Sequence, residues 1–181
     1  NIINYNKKKI TKKKLKITNC EIKNTILYNS NIMHPTFCFR KSQVVEVGSY
    51  RKEFVYAQDY DLLLRLLNKD YIFANIPEYL VDYKQSDFKN IDKIYAQMRF
   101  SRLAKKLFKN RKKNEIESEI NIKKIKNTKN LNRFSKLIFK IFIYFNNKRI
   151  NNKFPKLLWI ILSNFISIFN YELFYSLIND F

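Results

Sequence analysis

Behind two aspartates, Leu62, Leu63, Leu66 and Leu67 recur three and four residues apart. That spacing predicts a helix over 59–68 with one apolar face turned inward. An acid at its start suits the unpaired N–H groups and the positive end of the helix dipole. Upstream, residues 41–47 (KSQVVEV) read as a short helix closed by Gly48, where a left-handed backbone is needed. His34-Pro35 predicts extended chain before the proline, and Thr36-Phe37-Cys38-Phe39 reads as a strand. Residues 71–83 (YIFANIPEYLVDY) are β-rich and interrupted near Pro77, and 20–30 form a short helix or strand entering the domain.

The pattern changes after residue 90. The run from Ile91 is a basic amphipathic helix, 111–132 is a charged, Asn-rich linker, and 133–145 and 157–178 are apolar helical stretches. Residues 1–19 carry two Lys triplets and read as a solvated, partly flexible leader. The organisation expected is therefore a leader (1–19), a domain (20–90) and a helical tail (91–181).

Composition narrows the function. With 46% hydrophobic residues, 12 Tyr and 16 Phe, the 181-residue chain builds a core. A formal charge of +21 points to an anionic partner: nucleic acid, an acidic membrane surface or a phosphorylated substrate. The same Lys, Asn and Ile excess is also what an AT-rich coding sequence produces. Gly48 is the sole glycine, so no phosphate-cradling glycine loop can be built from this sequence. Cys20 and Cys38 lack C-x-x-C spacing and, with one histidine, cannot complete a zinc site alone; they read as buried thiols. No RNA-binding motif or helix-turn-helix surrounds the Lys runs, which makes nucleic acid an unlikely partner.

Candidate chemistry concentrates at Asp59 and Asp61. A bare D-x-D can hold a divalent cation, can supply a proton-transfer carboxylate, or can cap the helix. One cap needs only one acid, which leaves the second for chemistry. Arg65, four residues after Asp61, is placed for an i,i+4 ion pair. His34 is a general base, a metal ligand or a hydrogen-bonded turn residue.

Taken in order, NSNIMHPTFCFRKS, the Gly48-Ser49-Tyr50 turn, YAQDYDLLLR and IPEYLVDYK resemble the second half of a bacterial family 2 glycosyltransferase. The resemblance covers residues 29–84, about a third of the chain. It implies a partial GT-A fold, an α/β nucleotide-diphospho-sugar transferase architecture, followed by a helical C-terminal appendage. It implies an inverting transfer of sugar from a nucleotide-sugar donor to a saccharide or lipid-linked acceptor, in cell-surface polysaccharide or lipopolysaccharide synthesis. By the same resemblance Asp59 is the catalytic base. Gln58, Asp61 and His34 belong to the acceptor cleft, and Arg65 and Gly48 have structural roles. The family's Mg²⁺ or Mn²⁺ is expected on ligands outside this chain, because the donor-binding half with its metal motif is not in these residues. The chain thus reads as a C-terminal piece of a split or truncated enzyme, or as a degenerate remnant of one.

Several positions depart from the family pattern. Gln58 stands where Glu is usual, Ser49 where a second Gly is usual, Leu63 where Trp is frequent and Lys84 where Arg is frequent. In the tail, 157–178 has one acid and no Lys or Arg, and is about long enough to span a bilayer. Ser163, Asn164, Ser167 and Asn170 form a polar stripe, which favours an interfacial helix. Flanking Lys148, Arg149, Lys153 and Lys156 suit anionic headgroups. The expected location is the cytoplasm, peripheral at the inner face of the membrane. The rival reading is a non-catalytic basic module that binds anionic membrane or nucleic acid.

Overall fold

Thr18 opens the first helix, α1 (Asn19–Thr25), through a capping box. Its hydroxyl accepts from the Glu21 N–H, and the Glu21 carboxylate accepts from the Thr18 N–H at 3.2 Å and from the Thr18 hydroxyl at 2.9 Å. These bonds, those from the Thr18 backbone first, hold the Glu21 carboxyl below its ordinary 4.5. A carboxyl depressed on folding stabilises above its unfolded pKa and loses that contribution as pH falls through the folded value. Protection of α1 amides against hydrogen exchange should therefore decline below about pH 4.5 and be flatter in Glu21→Gln. Thr18→Ala should remove about 1 kcal/mol, read by urea denaturation.

The computed structural model describes residues 2–4, 9–11, 14–28, 31–84 and 90–113, with helical backbone also at 133, 136, 137, 140 and 141. At 2–4, 9–11, 83 and 84 only the backbone is described. The chain divides into two compact units, one of 1–88 with 97–127 and one of 89–96 with 128–181.

In the first unit, β1 (Ile2–Asn4) lies between β2 (Lys9–Thr11) and β3 (Tyr83–Lys84). It runs antiparallel to β2, with Ile3 opposite Ile10, and parallel to β3, with Ile3 opposite Lys84. The leader thus contributes two strands where the sequence suggested flexible chain. A 3₁₀ turn (His34–Thr36) follows α1, then α2 (Lys41–Glu46), α3 (Gln58–Asn68) and the long α4 (Ile91–Lys112).

The helix α3 is the centre of this unit. Tyr60 and Leu62 to Leu67, Arg65 included, are all buried, so it is covered on every side rather than along one face. Leu62 and Leu66 pack with Val44 of α2. Tyr60, Leu63, Leu64 and Leu67 pack with Ile22 and Ile26, with Phe54, and with Phe100, Leu103, Ala104, Leu107 and Phe108 of α4. The α4 contacts recur at helical spacing, as the amphipathic reading requires, and they carry the core past the expected boundary at 90/91. Tyr60 also donates from its hydroxyl to the Ile26 carbonyl at 2.9 Å, tying α3 to the end of α1.

Described residues are mostly helical, and the two longest predicted strands are corrected. Thr36 lies in the 3₁₀ turn because its N–H and hydroxyl both return to the Met33 carbonyl, at 2.9 and 2.7 Å. Extended chain precedes that turn at Met33, one residue earlier than the His-Pro rule placed it. Residues 37–40 pair in no strand. Along 71–76 the side chains alternate, with 72, 74 and 76 exposed, but the segment is held by loop partners instead of a ladder. Asn75 donates to the carbonyls of Lys16 and Asn31, and its N–H to Ile17, while Asn19 accepts from the Phe73 N–H. Cys20 and Cys38 are both exposed, against the expectation of buried thiols.

Gly48 ends α2 as read. Its φ is +85°, its N–H reaches the Val45 carbonyl, and the Ser49 N–H reaches back to Val44, a Schellman motif. Ser49 is left-handed too, at φ +54°. An L side chain there is strained, so Ser49→Gly should stabilise by about 1 kcal/mol after the entropy of glycine is subtracted. Urea denaturation midpoints would check it.

In the second unit, the Lys136 ammonium bonds Asp92 in the first turn of α4 at 2.6 Å. The 133–145 stretch is helical at its described positions; 157–178 lies outside the described residues. Among the described residues no helix is long and apolar enough to cross a membrane.

Candidate functional site

The two aspartates of the YAQDYDLLLR run have opposite environments. Ala57, in the left-handed region at φ 55°, is the N-cap of α3, and no side chain caps the helix. The expected carboxylate cap is thus absent. Gln58 is the exposed first residue of α3, and Asp59, the second, is half-buried. Asp61 is one turn in and fully buried.

Asp61 is withdrawn from any cleft. Its Oδ2 accepts from Arg65 Nε at 2.9 Å and from Arg51 Nε at 3.0 Å, and its Oδ1 accepts from Arg51 Nη2. Arg65, the i,i+4 partner, extends the network by donating to the carbonyls of Val47 and Ser49. It therefore fastens α3 to the turn that ends α2. Arg51 also lies over the Phe54 ring, 5.0 Å from its centre. Arg111 of α4 completes the group. Burial above all pushes it down to about 10; Asp61 opposes that shift, and Arg51 and Arg65 add to it. Burial likewise lowers Arg65, against the pull of Asp61. One buried carboxylate thus binds two guanidiniums, and the Arg111 guanidinium feels its charge, which is a structural arrangement.

Asp59 belongs to a different cluster. Its charge reaches the Tyr50 hydroxyl, whose pKa is raised by burial first and by Asp59 second. Tyr50 Oη lies 3.1 Å from His34 Nε2. The His34 ring meets Phe37 edge-to-face at 5.0 Å and Tyr50 at 5.9 Å. Tyr50 thus bonds His34 of the 3₁₀ turn, and its hydroxyl feels the charge of Asp59 on α3. Phe37 also lines an apolar cavity of about 390 Å³ bounded by Leu62, Leu66, Phe73 and Leu80.

Sequence reading missed Tyr50, Arg51 and Arg111. At +21, a single basic residue carries little signal. The one available cue was that Arg is the scarcer basic residue in a Lys-rich chain, and Arg is favoured where a planar fork must bind a carboxylate.

Among the described residues no group of three His, Cys, Asp or Glu is placed to hold a metal ion. Asp61 is taken by arginines, and Asp59 with His34 offers two ligands at most. The residues present do not fit the divalent cation that the resemblance implies, and no step is derived through one. Comparison with family models, with curated proteins and with solved structures finds no match to this chain.

Proposed function

We propose that this chain is the acceptor-side part of an inverting family 2 glycosyltransferase of GT-A fold. The observation that carries the reading is the division of labour between two acids. The resemblance assigns the base to Asp59, and Asp59 is half-buried with its charge felt at the Tyr50 hydroxyl, while Asp61 is locked between Arg51 and Arg65. A sugar hydroxyl is a poor nucleophile near neutral pH and needs a carboxylate at hydrogen-bond distance. In the proposed step Asp59 accepts the proton of an acceptor hydroxyl. The hydroxyl oxygen forms a bond to the anomeric carbon of the donor as the bond to the nucleoside diphosphate breaks. The diphosphate departs with the electron pair, and the configuration inverts.

The donor is a nucleotide sugar, and the acceptor is a saccharide or a lipid-linked saccharide used for cell-surface polysaccharide or lipopolysaccharide. Work on a lipid-linked acceptor fits peripheral association with the inner face of the membrane, which the basic tail supports by its composition. The test is transfer of labelled sugar from a panel of nucleotide sugars by the complete enzyme, made by joining a donor-binding domain to this chain. Labelled glycan that disappears in Asp59→Asn supports the reading. Full labelling by that variant removes Asp59 as the base. Polyanion binding would not serve as a test, since a charge of +21 ensures it.

A further inference from the structure

We propose that the open edge of residues 72–76, with the apolar groove beside it, docks a strand from a partner polypeptide. The occupant is an extended segment, apolar at alternate positions and carrying Lys or Arg. This goes beyond the transferase reading and stands without it. In extended chain, the N–H and C=O groups of successive residues point to opposite edges. One edge of 71–76 is used. The Tyr71 N–H reaches the Leu66 carbonyl at 3.3 Å, the Phe73 N–H the Asn19 side chain at 3.0 Å, and the Asn75 N–H the Ile17 carbonyl at 3.1 Å. Ile72, Ala74 and Ile76 face the other edge. Among the described residues their backbone groups have no hydrogen-bond partner. Pro77, which has no N–H, ends that edge. An edge of this kind is a template for pairing with another chain.

The side chains add a second signal. Ile72 is 80% exposed, Ile76 67% and Leu80 64%. With Phe37, Phe39 and Phe73 they line the cavity of about 390 Å³. Scattered apolar residues are ordinary on a surface, but these border one groove. A docked strand would pair its backbone with the edge and set every second side chain in the groove, the division of labour of strand addition. Charge selects the occupant. From 70 to 83 the sequence holds Asp70, Glu78 and Asp82 and no Lys or Arg, within a chain of +21. Lys23 holds Asp70 at 3.4 Å, while Glu78 and Asp82 are exposed and Glu78 lines the groove. A Lys or Arg on the incoming strand suits that rim. A second copy does not. Two chains of +21 repel each other, and antiparallel pairing about Ala74 would set Asp70 of one copy opposite Glu78 of the other.

The experiment is fluorescence polarisation of a labelled peptide, Lys-Val-Thr-Val-Thr-Val-Lys, titrated with the full chain at about 0.15 M salt. The probe is cationic, so the chain as a whole repels it and only a local site can hold it. The expected result is saturable binding with a Kd of about 100 µM or below. The same peptide with Glu in place of both Lys should bind at least tenfold more weakly, although the net charge of the chain favours it. A version N-methylated through its central residues should lose binding, because it cannot pair with the edge. Glu78→Lys, an exposed change, should weaken the Lys peptide at least tenfold. Ala74→Pro, which removes one N–H from the open edge, should do the same.

A Kd above about 1 mM for the Lys peptide, equal binding of the N-methylated peptide, or tighter binding of the Glu peptide overturns the proposal. So does light scattering that shows a dimer dissociated by Ala74→Pro, since a second copy would then occupy the edge. The assay contains no sugar donor or acceptor, so its failure leaves the transferase reading standing, and loss of that reading leaves the groove standing.

Discussion

Asp61→Asn should destabilise the protein by roughly 3–5 kcal/mol, the range for breaking a buried ion pair from one side. Asp61 is fully buried and receives both Arg51 and Arg65. Asparagine keeps the size but removes the charge, and its amide nitrogen faces donors where an oxygen accepted before. The two guanidiniums, already near Arg111, would then repel each other with no carboxylate between them. Domains of this size are stable by about 5–15 kcal/mol, so the variant should be largely unfolded or poorly expressed. Urea denaturation measures the loss. A cost under about 1 kcal/mol would mean that water or another acid replaces the carboxylate. Replacement of Asp61, Arg51, Arg65 and Arg111 together by apolar residues should recover part of the stability. What is costly is an unpaired buried charge, while the pair itself has little net worth.

The same cluster shows what the sequence could and could not disclose. The i,i+4 relation of Asp61 and Arg65 is readable because a helix fixes it locally. The Leu positions of α3 and the stop at Gly48 are local in the same way. Arg51 is different. It reaches Asp61 from ten residues back, across the loop that enters α3 through the left-handed Ala57, and no spacing rule anticipates that path. The resemblance assigns Asp61 to the acceptor cleft, and its burial is not legible, because α3 is buried on every side while periodicity alone shows one face. The strands expected at 36–39 and along 71–82 did not form, with only Tyr83 of the second finding a partner, in β3, because β-propensity describes a residue fit for a pleated sheet, not one that has a partner. Phe73 and Asn75 found Asn19 and loop carbonyls instead. The Tyr50–His34 contact joins two separate segments of chain, beyond any local spacing rule, and His34 and Asp59 are read as one site only through the family resemblance with its ordered motifs.

Asp59→Asn should behave in the opposite way to Asp61→Asn. It should leave the urea midpoint nearly unchanged, because Asp59 is half-open and packs in no core cluster. Its loss from the first turn of α3 removes a favourable dipole contact of only about 0.3–1 kcal/mol. In the complete enzyme, turnover should drop by about 10²–10⁴, the usual contribution of a positioned general base. The fall should appear in kcat and in kcat/KM for the acceptor alike, since proton transfer occurs only in the transition state. Asp59→Glu should retain more activity than Asp59→Asn, because it moves the carboxylate without removing it. If Asp59→Asn raises KM and spares kcat, Asp59 binds the acceptor without activating it. The catalytic carboxylate must then come from outside this cluster, since Asp61 is committed to its arginines. Measured together, the two aspartates separate stability from chemistry within a single turn of helix.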